Sequence, residues 1–228
     1  MLAEDTKKTS IGHSKSDMLD PLLALSPLDG RYASRTEPLR ESLSEFALIR
    51  ARVHVELRWL AFLVSEGIIS LSQPVPESEL RIIETISDDF ELKDARRVKE
   101  LEKITNHDVK AVEYFIREKL GIKIPRAALL IPLVHFACTS EDVNNVAYSM
   151  NLEKMRSKVI LPKISELLVT TARLIDEAAD IPLLAYTHGQ PASPTTLGKE
   201  ISVFYARIHK LAESFKQVKL AVKWNGAT

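Results

Sequence analysis

The sequence predicts an all-α fold: a helical N-terminal domain followed by the first long helices of an elongated helical bundle. Only 7 of the 228 residues are glycine, and the alternation of apolar and polar residues that marks half-buried strands is scarce. Apolar residues instead recur at steps of three and four, as they do on one face of a helix. One such pattern covers about residues 139–179, and an unbroken helix of that length would span roughly 60 Å.

The composition excludes several classes of function. Lys+Arg and Asp+Glu both number 31, so the net charge is zero, and neither a nucleic-acid surface nor a polybasic membrane patch is expected. No apolar run approaches the roughly 18 residues of a membrane span. Cys138 is the one cysteine, which excludes an intramolecular disulfide framework and fits a reducing compartment. We therefore expect a cytoplasmic protein, with an organelle form left open.

The predicted N-terminal domain covers residues 24–133 and follows a flexible tail, residues 1–23. Its first long helix begins near Thr36, which can act as N-cap with Pro38 in the first turn, and ends at Gly67. The periodicity predicts two further helices, and the remainder up to residue 132 reads as extended or irregular. These two helices cover about residues 77–88 and 92–119, with Gly121 as the stop of the second.

The predicted second domain covers residues 134–228 and holds the first helices of the bundle. Thr139 and Asp142 have the spacing of a capping box, which predicts a helix start. Pro162 should kink the long helix that follows or split it in two.

A Pro-rich corner follows the long helix, and a last helix follows the corner. Ser193 can cap that helix and Pro194 can begin it, and the apolar pattern runs to about Lys223.

Four polar stretches carry the candidate chemistry. In "SPLDGRY", Arg31 and Tyr32 can offer a guanidinium group and a phenol to an anion such as phosphate, although an ordinary surface turn also explains them. In "TNHDVKAVEYF", residues 106–108 are Asn, His and Asp. Asn and Asp are poor inside a helix, so Asn106, His107 and Asp108 indicate a function or a helix break, and a solvated helix face is the alternative.

The third and fourth stretches contain two further histidines. In "VHFACTSEDVNN", Thr139 and Ser140 open a helix whose N–H groups and hydroxyls suit an anion, with His135 nearby; plain capping and a core histidine are the alternative. In "YTHGQPASPT", the corner can fix the orientation of His188, as general acid–base catalysis requires, or His188 simply bonds the turn. No zinc-type Cys/His spacing, P-loop or dinucleotide-binding glycine pattern is found.

Together and in this order, the four stretches resemble the fumarase/aspartase superfamily, in its bacterial-type branch of purine biosynthesis, over residues 24–226. The resemblance implies β-elimination at a C–N bond, releasing fumarate from adenylosuccinate to give AMP and from SAICAR to give AICAR, without cofactor or metal. It implies a small-molecule nucleotide substrate, and a homotetramer whose active sites are shared between subunits, with no nucleic acid or membrane as partner.

The resemblance also assigns roles to individual residues. His188 would be the general acid, with His135 supporting the pocket. The implied substrate-binding residues are Arg31 and Tyr32 at the nucleotide end, Asn106, His107 and Asp108 along the site, and Thr139 and Ser140 at a carboxylate.

The chain departs from the family pattern in one respect. The family's catalytic base is a serine in a loop motif of the type S-S-x-M-P-x-K-x-N-P, and this sequence contains no such motif. We therefore expect this chain to correspond to the N-terminal half and to be inactive alone. Two alternatives stay open: a truncated, non-catalytic isoform that co-assembles with and modulates the full-length enzyme, and another lyase of the superfamily, such as one acting on argininosuccinate.

Overall fold

A computed structural model describes residue 22 and residues 24–226, and it confirms the all-α class. The chain divides into two compact units, one up to Arg40 and one from Glu41 onward. The described part of the first unit contains the short helix α1 (Ala33–Thr36) and a 3₁₀ turn (Glu37–Leu39). The domain boundary expected near residue 133 stays a prediction.

The remaining elements are mostly helices joined by short loops. In chain order they are α2 (Arg40–Leu43), α3 (Glu45–Ser65), α4 (Glu77–Asp88), α5 (Leu92–Thr105), α6 (Asp108–Lys123), α7 (Ala127–Leu130), a 3₁₀ turn (Ile131–Leu133), α8 (Ser140–Met155), a π turn (Arg156–Ile160), α9 (Leu161–Glu177), β1 (Pro182–Thr187), β2 (Gln190–Thr196) and α10 (Leu197–Gln217).

The core of the second unit lies between α3 and the helices α4, α5 and α6 that pack around it. An aromatic row runs through this core, with Phe90 centred 5.7 Å from Phe46 and 5.5 Å from Phe115. A second, smaller cluster joins α3 to α8: its buried members are Ala51, Val55, Val143 and Ala147, and Leu48 and Val146 pack against them partly buried. This packing holds α8 against α3.

The first long helix begins later than predicted. Ser44, not Thr36, is its N-cap: its backbone is extended (φ −76°, ψ 161°), and its Oγ accepts a hydrogen bond from the Ala47 N–H at 3.2 Å. The 3₁₀ turn that contains Pro38 and the short helix α2 precede it, so Pro38 lies outside the long helix rather than in its first turn. Gly67, at φ 62°, lies directly beyond the helix end as predicted.

The helix predicted over residues 92–119 is two helices. Asn106 ends α5 in the left-handed conformation (φ 51°), and α6 begins two residues later. Gly121 does not stop α6, which continues to Lys123, so that prediction is wrong. The segment up to residue 132 is mostly helical rather than irregular, because Ala127 and Leu130 bury their side chains in the core.

The long helix beginning at residue 140 follows the prediction. Thr139 and Asp142 form the expected capping box, in which each side chain accepts a hydrogen bond from the other residue's backbone N–H. The helix continues to Glu177, but a π turn separates α8 from α9 immediately before Pro162. The irregular hydrogen bonding lies where Pro162 supplies no N–H, as expected for a proline inside a helix.

The corner after α9 is a β-hairpin, which the sequence did not indicate. Ser193 and Pro194 lie in β2, so their predicted roles are wrong, and Thr196 caps α10 by accepting from the Lys199 N–H at 3.2 Å. The hairpin strands contain few apolar residues on a consistent face and three prolines, so neither alternation nor propensity marks them.

Helix α10 ends at Gln217 rather than near Lys223. Residues 218–226 are not helical and lie along α8 instead. The Lys223 N–H donates to Asn145 Oδ1 at 2.8 Å, and Asn145 Nδ2 donates back to the Lys223 carbonyl at 3.1 Å. The Trp224 ring lies 4.9 Å from Trp59. These side-chain contacts satisfy the hydrogen-bonding groups of the backbone and outweigh the helical pattern.

Across the described residues, no helix has both the length and the apolar character to cross a bilayer.

Gly198 fixes the contact between α9 and α10, and its replacement by alanine is expected to disturb it. A Cβ at this position would lie 2.6 Å from the Ile175 carbonyl oxygen and 2.9 Å from the Ala179 Cα, both backbone atoms. We expect Gly198→Ala to lower the free energy of unfolding by about 1–3 kcal/mol. The matched control is Gly121→Ala, because a Cβ there meets nothing within 4 Å. Inside an exposed helix that change should stabilise by about 0.5–1 kcal/mol. Urea unfolding of both variants measures the difference, and equal effects would contradict the tight contact.

Candidate functional site

The break between α5 and α6 orients the candidate residues 106–108. His107 is the N-cap of α6, and its Nδ1 accepts the Lys110 N–H at 3.1 Å. Since Nδ1 is an acceptor, the proton of the neutral ring is assigned to Nε2. Asp108 accepts its neighbour's N–H, that of Val109, at 2.9 Å. The helix break predicted as one reading of this stretch is therefore present, and it leaves His107 half-exposed with Nε2–H as a donor.

Arg52, a residue that the sequence analysis missed, holds this corner to α8. It is 6% exposed, its guanidinium pairs with Asp108 Oδ2 at 2.7 Å, and its Nε donates to Asn144 Oδ1 at 2.8 Å. Burial alone would raise the pKa of Asp108, but the Arg52 charge and the hydrogen bonds from Val109 and Arg52 lower it. The sequence feature that could have identified Arg52 is its position between Ala51 and Val53, on the apolar face of α3.

Replacing Arg52 is expected to loosen the corner as well as the fold. Arg52→Met keeps the aliphatic volume but leaves Asp108 and Asn144 without their shared donor. We expect unfolding to become easier by about 1–3 kcal/mol and hydrogen exchange to accelerate at residues 106–110. Arg58→Met is the matched control on the same helix, because Arg58 and its partner Glu84 are both exposed. That change should cost less than about 1 kcal/mol. Unchanged exchange at the corner in Arg52→Met would refute the tether.

The start of α8 presents backbone N–H groups and two hydroxyls, as predicted. Thr139 is the N-cap and Ser140 the first helical residue, both half-buried. The Thr139 hydroxyl donates to Asp142 Oδ2 at 3.1 Å. That hydroxyl can therefore donate to a ligand only by turning away from Asp142. The helix N-terminus and the Ser140 hydroxyl remain the groups suited to an anion here.

Asp142 anchors the C-terminal segment to this helix start. Its carboxylate is fully buried and accepts the N–H of Thr139 at 2.8 Å, of Asn225 at 3.0 Å and of Gly226 at 3.1 Å. Burial alone would raise the pKa of Asp142, but the hydrogen bonds from Thr139 and Asn225 and the charge of Lys223 outweigh it and lower the pKa to about 2. Residues 225 and 226 are thus placed beside Thr139.

His135 lies in a tight loop between the core and α8. Its backbone has φ 65°, and Ala137 in the same loop has φ 57°. His135 Nδ1 lies 2.5 Å from Oε1 of the buried Glu56 and 3.7 Å from Cys138 Sγ. The hydrogen bond to Glu56 raises the pKa of His135 although burial opposes it, and burial raises the pKa of the Cys138 thiol to about 12. The loop is also fixed by Trp59, whose Nε1–H donates to the Phe136 carbonyl at 2.8 Å.

His188 stands at the exposed tip of the hairpin. Thr187 pairs with Gln190, which leaves His188 and Gly189 as a two-residue loop with φ values of 50° and 75°. Positive φ at both positions is the mark of a type I′ turn. The rigid corner predicted around His188 is therefore a hairpin turn, and the imidazole projects from it towards solvent.

The structure brings some of the predicted residues together. Through Arg52 and Asn144 it links the corner at 106–108 to α8, and the His135 loop leads directly into Thr139. His188 lies on a separate element, the hairpin. Arg31 and Tyr32 belong to the first unit, where the guanidinium lies 5.5 Å from the Tyr32 ring centroid.

Comparisons with known proteins show the family to which the chain is similar. A family profile described as "Lyase" matches residues 30–228. Adenylosuccinate lyase of Vibrio cholerae serotype O1 is 43% identical over 209 residues, covering 92% of this chain and 46% of that protein. The adenylosuccinate lyases of Haemophilus influenzae and Escherichia coli K12 are 44% and 41% identical over the same coverage. The chain thus spans about half the length of the curated relatives it matches.

Solved structures share the fold. Fumarate lyase from Mesorhizobium sp. BNC1 superposes with a TM-score of 0.68 at 20% identity, covering 84% of this chain and 42% of that one. The 3-carboxy-cis,cis-muconate lactonizing enzyme from Pseudomonas putida gives a TM-score of 0.65 at 18% identity, with the same coverage.

Proposed function

This chain belongs to the lyase family, and on that premise we propose that it is the N-terminal part of an adenylosuccinate lyase. The observation that carries the proposal is its identity of about 40% with three adenylosuccinate lyases over 92% of its length. The proposed reaction is β-elimination of fumarate from adenylosuccinate, giving AMP, and from SAICAR, giving AICAR. We place it in the cytoplasm, where a single free cysteine is unexceptional.

The proposed mechanism divides one elimination between an acid and a base. The base takes a proton from the succinyl Cβ, the electron pair forms the C=C bond of fumarate, and the C–N bond breaks as the acid protonates the departing nitrogen. His188 is the proposed acid, since an imidazole can deliver and take up a proton in catalysis and the hairpin turn fixes its backbone. The base is proposed to lie in the part of the relatives that this chain does not cover.

Anion binding is proposed for the other candidate residues. Ser140 and the N-terminus of α8, with Thr139 after its hydroxyl turns, would hold a substrate carboxylate and the negative charge that builds on it. His107, whose ring is oriented by its capping bond, would donate a hydrogen bond from Nε2–H to the substrate. Its neighbours Asn106 and Asp108 would line the substrate site. Arg31 and Tyr32 are proposed for the nucleotide end. His135 would support the pocket through the loop it fixes.

The assembly is proposed to be a homotetramer in which sites draw on several subunits. Supporting this, α9 and α10 expose large apolar side chains, among them Val169 at 68%, Phe204 at 63% and Leu211 at 69%. Exposed apolar stripes on long helices are typical of helices that pack on further helices. His188 would then serve a site formed with another subunit.

A substrate panel tests the proposal. This chain would be mixed with a second chain that covers the remaining length of the Vibrio cholerae relative, and fumarate release would be followed with adenylosuccinate, SAICAR and argininosuccinate. We expect activity on the first two and none on argininosuccinate. Activity on argininosuccinate alone would overturn the substrate assignment. If the chain instead inhibits an intact relative in proportion to its concentration and restores no activity, the proposal of a catalytic part fails.

A further inference from the structure

Glu56, His135 and Cys138 form a cluster of metal-ligating side chains inside the second unit. One ligand atom from each lies within 4.8 Å of the others. The cluster has a buried wall, Glu56 at 1% exposure, and an accessible side, since His135 and Cys138 are half-buried. None of the roles proposed above uses the Glu56 carboxylate or the Cys138 thiol.

A second observation indicates a ligand rather than a satisfied core. Oε2 of Glu56 is buried, and no hydrogen-bond donor among the described residues reaches it. Buried carboxylate oxygens are rarely left without a partner, and each such case needs an explanation such as an ion or a water molecule. From this geometry we propose that Glu56, His135 and Cys138 bind one borderline-soft divalent cation, with Zn²⁺ as the natural occupant and a water molecule as fourth ligand.

The distances are compatible with this occupant after one small adjustment. Zinc bond lengths of about 2.0–2.3 Å in a tetrahedral site place a ligating nitrogen about 3.6 Å from a ligating sulfur and about 3.4 Å from a ligating oxygen. His135 Nδ1 already lies 3.7 Å from Cys138 Sγ. Its 2.5 Å hydrogen bond to Glu56 Oε1 must open by about 0.9 Å. The cation would therefore take the place of the proton between His135 Nδ1 and Glu56 Oε1, and its bound water molecule would donate a hydrogen bond to the unpartnered Oε2.

The charges balance when the cation enters. It displaces the proton that lies between His135 Nδ1 and Glu56 Oε1 and the thiol proton of Cys138, and both protons pass to solvent. The site then contains one carboxylate, one thiolate and a neutral imidazole around a 2+ ion. Nε2–H of His135 faces the Glu113 carboxylate at 3.9 Å, on the side where metal-bound histidines commonly have a second carboxylate.

Occupancy would be coupled to the start of α8. Cys138 directly precedes Thr139, and Trp59 bonds the Phe136 carbonyl between the two ligands from this loop. Opening the Glu56–His135 hydrogen bond would shift the loop, and Trp59 would report the shift in its fluorescence. Binding of the cation would thus move the loop that leads into the proposed anion-binding groups at the start of α8.

Cobalt titration of the whole chain tests the proposal independently of catalysis. Because Cys138 is the one cysteine, a thiolate-to-cobalt charge-transfer band identifies it as a ligand. We expect one Co²⁺ per chain, d–d bands of a tetrahedral ion, displacement by Zn²⁺, and a Trp fluorescence change with the same midpoint. Cys138→Ser should abolish the charge-transfer band, whereas His209→Gln, an exposed histidine on α10, should leave it intact.

The remaining ligands are tested by Glu56→Gln and His135→Asn. Each should weaken Co²⁺ binding at least as much as the loss of an outer-shell partner does, about 10–100-fold. A folded wild-type chain without the charge-transfer band would overturn the proposal, as would an affinity that neither variant lowers. If these variants fail to fold, the rate of Cys138 alkylation in the wild-type chain tests the site instead. One equivalent of Zn²⁺ should slow the alkylation at least tenfold, and an unchanged rate would refute the site.

Discussion

His188→Asn, assayed after mixing with the complementary chain, is expected to lower kcat by about 10²–10⁴-fold, the usual contribution of a general acid. The chain should lose none of its stability. Asn-Gly is the preferred pair for a type I′ turn, and His188 is exposed at φ 50° with Gly189 at φ 75°. The substitution therefore removes the proton donor while it favours the turn.

Two measurements separate this prediction from a folding defect. The urea midpoint of His188→Asn should equal or exceed that of the unchanged chain, and the variant should still bind the complementary chain. His209→Gln, also an exposed histidine, should keep the full rate. If His188→Asn retained more than about a tenth of the rate, His188 would not be the acid.

Asp142→Asn is expected to destabilise the chain by about 2–4 kcal/mol. One carboxylate oxygen, Oδ2, accepts three donors from Thr139 and Gly226, and an amide nitrogen in its place would face those donors. Buried hydrogen bonds to a charged group each contribute about 1.5–3 kcal/mol, and a mismatched donor adds a desolvation cost. The segment ending at residues 225–226 should detach, and quenching between Trp59 and Trp224 should change with it.

The same residue predicts an acid dependence of stability. The pKa of Asp142 is about 2 in the folded chain against an ordinary value of 3.8, so the unfolded chain binds the proton more readily. Its contribution, about 2 kcal/mol, is present above pH 4 and disappears as the pH falls towards 2.

Urea unfolding between pH 6 and pH 2 should therefore show a fall in stability that Asp142→Asn lacks. Asp180→Asn, an exposed acid after α9, should leave the pH profile unchanged. Parallel profiles for the wild type and Asp142→Asn would show that Asp142 is not the anchor.

Local signals in the sequence predicted local structure well. The capping box at Thr139 and Asp142 and the interruption near Pro162 depend on residues a few positions apart, so their spacing suffices. The stretch 106–108 was recognised as helix-breaking or functional for the same reason. The hairpin around His188 was missed because strand pairing satisfies backbone groups whatever the side-chain pattern.

Contacts between distant residues could not be predicted. Arg52 and Asn144 are 92 positions apart, and Glu56 and His135 are 79 apart, so no spacing rule groups them. Helix α10 ended early because Asn145, far back in the chain, bonds the Lys223 backbone. The motifs thus located the candidate residues, whereas packing of α3 against α6 and α8 determined what surrounds them.

Fumarate release from adenylosuccinate, measured for this chain alone and after mixing with the complementary chain, tests the central claim most directly. The chain is proposed to supply the acid and the anion-binding groups and its complement the base. The account predicts no release from either chain alone and release on mixing, which His188→Asn lowers by about 10²–10⁴-fold. Release from this chain alone would contradict it, because the base would then lie among its own 228 residues.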